Sequence, residues 1–260
     1  MRGRLRICRA ALRAALAGRL AYRGDFLICA FMALAVEWLV PLVTALVYRA
    51  GASFPGWGMY EVLLLQGLFM LAKGLTATFV FGVVWNTLDR VREGTFDLIL
   101  LKPRSPLFLS IATGFNLEET GKILGGLALA GTALARLPAP GLGRIIAGGA
   151  FFLASFLVFS AVAVTLAALV IRWVGCSRVF EIFMTVSSFG NYPSSIYGRT
   201  LLAVLSYALP VTMMAAIPAA ALLGRPIPFL GPALAATIVL VLFALWFWGY
   251  MLGKYTSAGG

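Results

Sequence analysis

Long apolar runs, separated by short charged or proline-containing stretches, dominate the sequence. Seven runs can be delimited, at 26–48, 59–85, 107–137, 145–171, 179–197, 201–223 and 229–251. Several reach the ~20 residues that a helix needs to cross the hydrocarbon core of a bilayer. An outer-membrane barrel would instead show alternating segments of about ten residues. The pattern therefore predicts an all-α integral membrane protein.

The sixth run, 201–223, departs from the others because it contains Pro210 and Pro218. A proline inside a helix removes a hydrogen bond and kinks the chain. Irregular backbone at membrane depth is tolerated only where protein or water covers it. The run is either a kinked span or a hairpin that enters the membrane and returns, with Arg199 and Arg225 anchored at one face in the second case.

Composition agrees with the pattern, since 62% of the residues are hydrophobic, 12% are charged and the mean hydropathy is +0.97. Soluble domains are nearer one quarter charged. The net charge of +12 would suggest nucleic acid in a soluble protein. Here the basic residues stand at the ends of apolar runs, where they set orientation, so no nucleic-acid partner is expected.

The first 24 residues are predicted to form an amphipathic helix that lies on an anionic membrane surface. Leucines and a cysteine recur at helical spacing, and arginines occupy another face. The arginines continue through the region where a signal peptide has its apolar core, which excludes that reading. By the positive-inside rule the N-terminus is cytoplasmic, as is the loop that carries Arg90, Arg92, Lys102 and Arg104.

No enzymatic motif is present. The string nearest to a P-loop, "GFNLEETGKI", has its glycines too far apart and no Ser or Thr after Lys122. The chain has no histidine, and its three cysteines (Cys8, Cys29 and Cys176) form no CxxC pair. Neither a metal site nor a cofactor is therefore expected in this chain.

Charged residues inside apolar runs are functional candidates, because each costs ~2.5 kcal/mol or more at the bilayer centre. The intramembrane polar candidates are Glu37, Lys73, Glu118, Glu119 and Lys122, and Glu181 is a further embedded charge. Lys122 follows the two neighbouring glutamates at i+4 and i+3, so local pairing can neutralise them. Glu37 and Lys73 lie on neighbouring runs and are predicted to pair with each other.

The third apolar run also contains a GxxxG motif, formed by Gly121 and Gly125. Such motifs let helices approach closely. The motif is consistent with packing inside the chain or, alternatively, with a subunit interface.

The charged segment, residues 86–106, contains the string "DRVREGTFDLILLKPRSP". It predicts a short charged helix, a stop at Gly94, an apolar stretch too short to span, and a proline stop. A solvated loop explains the charges but not the leucines, whereas a docking surface explains both. The candidate contact residues are Asp89, Arg90, Arg92, Glu93, Asp97 and Leu98.

Three motifs carry a resemblance to a known family. "VREGTFDLILLKPRSPLF" is similar to the pattern "R.G.lD..LlrPl.p.f" of ABC-2-type transporter permeases, in the branch formerly classed as a domain of unknown function. "WFWGYMLGKYTSAGG" resembles the closing pattern of that branch, and "ALPVTMMAAIPAAALLG" its penultimate segment. Lys102-Pro103-Arg104 is more basic than the usual pattern.

The resemblance implies the permease subunit of an ATP-driven transporter, an exporter in the bacterial inner membrane with a cytoplasmic N-terminus. It implies an interfacial helix at 1–24 and a six-span domain at 25–260. Within that domain, 86–106 would couple to a separate ATPase that binds ATP and Mg, and 199–225 would be an outer re-entrant element carrying both prolines. A second permease, the same chain or a sister, would complete the substrate path.

Two other functions stay open from the sequence. An ion-coupled secondary transporter requires inverted repeats and an embedded acidic site, and the sequence shows neither clearly. The other alternative is a structural membrane subunit that does not transport a substrate. The substrate is not identified by any motif.

Overall fold

The computed structural model describes residues 2–173, 175 and 177–256, and within them all regular structure is helical. The α-helices of this part of the chain are α1 Arg2–Ala21, α2 Arg23–Arg49, α3 Met59–Phe79, α4 Gly82–Arg92, α5 Asp97–Leu100, α6 Pro106–Ala112, α7 Thr120–Leu134, α8 Leu142–Arg172, α9 Ser177–Ser187, α10 Arg199–Tyr207, α11 Val211–Met214, α12 Ala216–Leu223 and α13 Leu230–Leu252.

Four stretches of the described chain are long and apolar enough to cross a membrane: α2, α3 together with α4, α8 and α13. The prediction of an all-helical, multi-pass membrane protein is therefore confirmed. The third and fifth apolar runs form shorter helices, because α7 has 15 residues and α9 has 11. The count of six spans stays a prediction.

The second apolar run is interrupted between α3 and α4. The carbonyl of Thr76 accepts hydrogen bonds from the amides of both Val80 and Phe81, each at 2.8 Å, which widens the helical turn locally. Such a wide turn is a known cause of helix kinks. The carbonyl of Thr78, freed by the interruption, accepts a hydrogen bond of 2.9 Å from the amide of Asn116. The loop before α7 therefore stabilises the bend.

Beyond the bend, α4 packs directly against α6 and the loop after it. A side chain at Gly82 would overlap the carbonyl oxygen of Gly114, so only glycine permits this approach. Asn86 donates hydrogen bonds to the carbonyl of Ser110 at 3.0 Å and to the hydroxyl of Thr113 at 2.7 Å. The charged segment is thus held at both of its flanks.

The helices α3 and α7 form the most extensively packed pair. Glycines allow their backbones to approach: a Cβ at Gly67, Gly74 or Gly126 would lie 2.6–2.9 Å from backbone atoms of the facing helix. On another face of α7, Gly121 and Gly125 contact Ala30 and Leu34 of α2. The GxxxG motif therefore serves packing inside the chain, which confirms the first of its two interpretations.

Segment 199–225 consists of the three short helices α10, α11 and α12. Pro210 lies directly before α11, as expected for a helix break. Pro218 instead lies in the first turn of α12, where an amide has no helical partner, so it removes no hydrogen bond. The second break is at Ala215, with φ −153° and ψ −40°. The expectation of two proline-induced kinks is thus correct only for Pro210.

Both ends of segment 199–225 lie beside the loop that connects α2 and α3. Near the beginning, the hydroxyl of Ser195 donates a hydrogen bond of 2.9 Å to the carbonyl of Pro55. At the end, Arg225 donates one of 2.6 Å to the carbonyl of Gly56. Ser195, which lies four residues before this segment, and Arg225, its last residue, therefore contact the same loop.

Candidate functional site

Four charged side chains, from the helices α2, α3 and α7 and from the turn directly before α7, meet inside the bundle, and we call them the polar cluster. The ammonium of Lys73 (α3) lies 2.5 Å from a carboxylate oxygen of Glu37 (α2). The ammonium of Lys122 (α7) lies 2.5 Å from Glu119 and 3.6 Å from Glu37. The predicted contact between Glu37 and Lys73 and the local pairing of Lys122 are both present in the structure.

These ion pairs matter for stability because the four side chains are only 12–24% exposed. A buried ion that loses its partner is strongly destabilising, because it is desolvated and uncompensated. The two carboxylates and two ammonium groups balance in formal charge. The Glu37 carboxylate, which touches both lysines, links α2 to the α3–α7 pair.

A cavity of about 110 Å³ lies against the polar cluster. Lys73, Lys122, Glu119 and Asn116 form its polar side. Asn116 carries a buried side-chain oxygen that has no hydrogen-bond partner. The rest of the lining is mainly aromatic and apolar, and we call it the aromatic side.

The aromatic side consists of Phe81, Trp85 and Phe180, together with Met184. The ring centroids of Trp85 and Phe180 are 5.4 Å apart, and those of Phe81 and Phe180 are 5.7 Å apart. Both contacts are edge-to-face, an arrangement that aromatic pairs favour. None of these residues, nor Asn116, was a sequence candidate, because a single aromatic or amide in an apolar chain carries no distinguishing pattern.

The remaining polar candidate is Glu118, at the beginning of the turn before α7. Its carboxylate and the side chains of Asp25 and Cys29 bring ligand atoms within 4.8 Å of one another. Asp25 is exposed, and exposed acidic groups commonly occur together without a metal. Neither Cys29 nor Cys8 is part of a disulfide, and Cys176 lies outside the described residues. The expectation of a chain without metal stays a prediction.

The charged segment presents an inner and an outer apolar face. Gly94 adopts a left-handed conformation (φ +69°) after α4, as predicted for a helix stop. Phe96 and Ile99 of the following apolar stretch are buried. Leu98 and Leu101 instead point outward, and Leu101 is 80% exposed. The stretch therefore both anchors itself in the bundle and displays leucines.

The charged candidates of this segment differ in their surroundings. Asp89, Arg92 and Glu93 are exposed, and Asp97 is half-buried. The guanidinium of Arg90 donates a hydrogen bond of 2.7 Å to the side-chain oxygen of Asn86.

The C-terminal end of the described chain packs against this segment. The rings of Tyr255 and Phe96 are 5.2 Å apart in an edge-to-face contact. Burial raises the pKa of Tyr255, and the negative charge of Asp97 raises that pKa further. The neutral phenol is thus the favoured form, and it ties the end of α13 to α5.

At the opposite end of the bundle, Arg225 is held by several groups. Its guanidinium bonds to the carboxylate of Glu61 at 2.5 Å and lies 4.6 Å from the ring centroid of Trp57. From the sequence, Arg225 was predicted to lie at the lipid headgroups, and no ion-pair partner was predicted for it. Glu61, at the start of α3, is 164 positions away, and no local spacing indicates such a pair.

A helical bundle with several membrane-length helices, a buried network of charges and a leucine-bearing charged segment defines a polytopic membrane protein. Residues 34–259 match the family described as ABC-2 family transporter protein, and the chain belongs to that family. No curated protein and no solved structure matches the chain significantly. Membership makes the chain a membrane permease of an ABC transporter, with an ATPase as its partner.

Proposed function

We propose that this chain is the permease of an exporter in the bacterial inner membrane, and that its charged segment couples it to the ATPase. The observation that carries the coupling role is the outward display of Leu98 and Leu101 beside exposed charges. ATP and Mg would bind in the partner subunit. A second permease, the same chain or a sister, would complete the substrate path.

The length of the second apolar stretch supports this role for the charged segment. Met59–Arg92 comprises 34 residues, which would span at most about 51 Å at 1.5 Å per residue and less with the bend after α3. The hydrocarbon core is about 30 Å thick. If α3 begins near one interface, the end of α4 projects beyond the other, where a soluble subunit can reach it.

Force on the charged segment has two routes into the bundle. One leads through α4, which packs against α8. The other leads through the contact between Phe96 and Tyr255 to the end of α13. Closure of the ATPase subunits would therefore shift several helices at once.

We propose six crossings, formed by α2, α3 with α4, α7, α8, α9 and α13. The contacts of Ser195 and Arg225 with the α2–α3 loop support a segment 199–225 that returns to the outer face. The N-terminus, the charged segment and residue 256 would then be cytoplasmic. The contact of Tyr255 with Phe96 is consistent with the last two lying at one face.

An ion-coupled secondary transporter is less well supported. Its embedded carboxylate would have to bind and release an ion. Glu37 is instead engaged by two lysines, at 2.5 and 3.6 Å.

Docking is tested by co-purifying the permease with its ATPase and by measuring ATP hydrolysis and transport. Leu101→Glu and Arg92→Glu should each weaken assembly or uncouple hydrolysis, while the permease still inserts. Arg136→Glu is the matched control, since Arg136 is also an exposed arginine but would lie on the outer face, away from the ATPase. If the double variant L101E/R92E keeps full stoichiometry and normal transport, the docking assignment is wrong.

Topology is tested separately by labelling intact cells with a membrane-impermeant thiol reagent, after the native cysteines have been replaced. A cysteine at Ala52, in the α2–α3 loop, should be labelled. Cysteines at Lys102 and Thr256 should be labelled only after lysis. Labelling of the position-256 cysteine in intact cells would exclude six crossings.

A further inference from the structure

We propose that the cavity against the polar cluster binds the anionic headgroup of an amphipathic molecule that enters from the cytoplasmic leaflet. This inference deepens the proposed function, on which it rests for the orientation of the cavity. It names the class of ligand that the permease would accept: a phosphate or carboxylate attached to an apolar chain.

The charges that line the cavity favour an anion. Two basic residues, Lys73 and Lys122, line it together with one acidic residue, Glu119. Glu37, which balances the polar cluster, does not line the cavity. Each ammonium has three donors, so both lysines retain N–H groups beyond their ion pairs. A phosphate or carboxylate oxygen is a suitable acceptor for them.

Asn116 adds a second requirement. Its buried side-chain oxygen has no partner, and burying such an acceptor without a hydrogen bond is costly. The P–OH of a phosphate monoester, or a hydroxyl or amine next to the anionic group of the ligand, would satisfy it. The polar side of the cavity thus offers complementary groups for an anion with a neighbouring donor.

The aromatic side explains why the ligand should be amphipathic. A free anion would leave Phe81, Trp85 and Phe180 without contacts, whereas the first atoms of an apolar chain would pack on them. The volume of about 110 Å³ is small compared with the ~300–1,000 Å³ of cavities that enclose whole ligands. The headgroup would therefore fit inside, and the tail would extend outward.

Trp85 marks the mouth through which the tail would extend, because it lines the cavity and is still 44% exposed. It lies 26 positions after Met59, or at most about 39 Å away along α3 and α4. A bilayer with its headgroups is about 40–45 Å thick. Trp85 is therefore near the cytoplasmic headgroups if Met59 begins at the outer ones, and tryptophan is enriched at that level.

Binding can be measured on the purified full-length permease, without any ATPase, by thermal unfolding and tryptophan fluorescence. The probes are short-chain phosphatidic acid, short-chain phosphatidylcholine and inorganic phosphate. Phosphatidic acid should bind at least about tenfold more tightly than either of the others, because only it offers both an exposed anion and an apolar chain.

The variants Lys122→Gln and Trp85→Ala should each weaken the binding of phosphatidic acid by about tenfold, the effect of one charge-assisted contact or one aromatic contact. Lys102→Gln is the matched control: it removes an exposed lysine outside the cavity and should change affinity less than twofold. If Lys122→Gln does not fold, Phe180→Ala takes its place, since it removes part of the wall and leaves every charge intact.

If phosphatidylcholine binds as tightly as phosphatidic acid, the cavity does not recognise the headgroup charge. If inorganic phosphate binds as tightly as phosphatidic acid, the aromatic wall has no role in binding. Either result overturns the proposal, as does unchanged affinity in the cavity variants. None of these results bears on docking of the ATPase, so the two proposals fail separately.

Discussion

Replacing Gly126 by alanine should force α3 and α7 apart. A Cβ at this position would lie 2.6 Å from the backbone nitrogen of Leu71 and 2.8 Å from its Cα, whereas ordinary contacts are 3.4–4 Å. The obstruction is helix backbone, which cannot rotate away. The two helices must therefore separate by about 1 Å and lose part of their dispersion contacts.

Gly131 is the matched control, since it lies on the same helix and nothing is within 4 Å of an added Cβ. Alanine raises helix propensity by up to about 1 kcal/mol at either position. That term cancels when the two variants are compared with each other. The overpacking cost of about 1–3 kcal/mol remains as their difference in unfolding free energy.

The assay is thermal unfolding of both variants in the same detergent, followed by near-UV circular dichroism. At about 2–4 °C per kcal/mol, Gly126→Ala should melt about 2–12 °C below Gly131→Ala. Gly67→Ala approaches the same interface from α3, with an added Cβ 2.6 Å from the backbone of Ala130, and should behave like Gly126→Ala. Equal melting temperatures for Gly126→Ala and Gly131→Ala would refute the close approach of the two helices.

Three further changes have definite expected outcomes. Arg225→Gln should lower the melting temperature more than Arg199→Gln does, because only Arg225 has Glu61 as an ion-pair partner; equal shifts would argue against that pair. Glu37→Gln leaves two buried lysines with less compensation and should destabilise by up to about 3–5 kcal/mol, measured by thermal unfolding; an unchanged protein would mean that the polar cluster is hydrated. Tyr255→Phe keeps the ring and removes the phenol hydroxyl beside Asp97, so it should destabilise by no more than about 1.5 kcal/mol. Because the pKa of that phenol is raised above 10.0, the cost should be constant from pH 6 to 9, and a cost that disappears across this range would contradict the assignment.

Features that follow from one local rule could be predicted from the sequence. Two opposite charges in neighbouring apolar runs have few other ways to be compensated, so the pairing of Glu37 with Lys73 was predictable. Gly94 stops α4 because it supplies a left-handed residue where the chain needs one. The last apolar run, predicted at 229–251, coincides with α13 within one residue at each end.

Features that depend on contacts between distant segments could not be predicted. The break after α3 contains no proline, and it depends on Asn116, which reaches Thr78 from another part of the chain. Likewise, the aromatic wall arises only when Trp85 and Phe180 meet across α4 and α9. The chain has 19 phenylalanines and 6 tryptophans, so neither residue type singles out a site.

The polar cluster also has a consequence for membrane insertion. Helix α2 is made before its partners, and Lys73 is synthesised 36 residues after Glu37. At about 5–20 residues per second, this delay is about 2–7 s. During that interval α2 holds a carboxylate without its lysine, at a cost of about 2.5–3.5 kcal/mol if it lies at the bilayer centre. Stable insertion of α2 therefore depends on helices that have not yet been synthesised. The helix reaches its final position only after α3 and α7 have been inserted beside it.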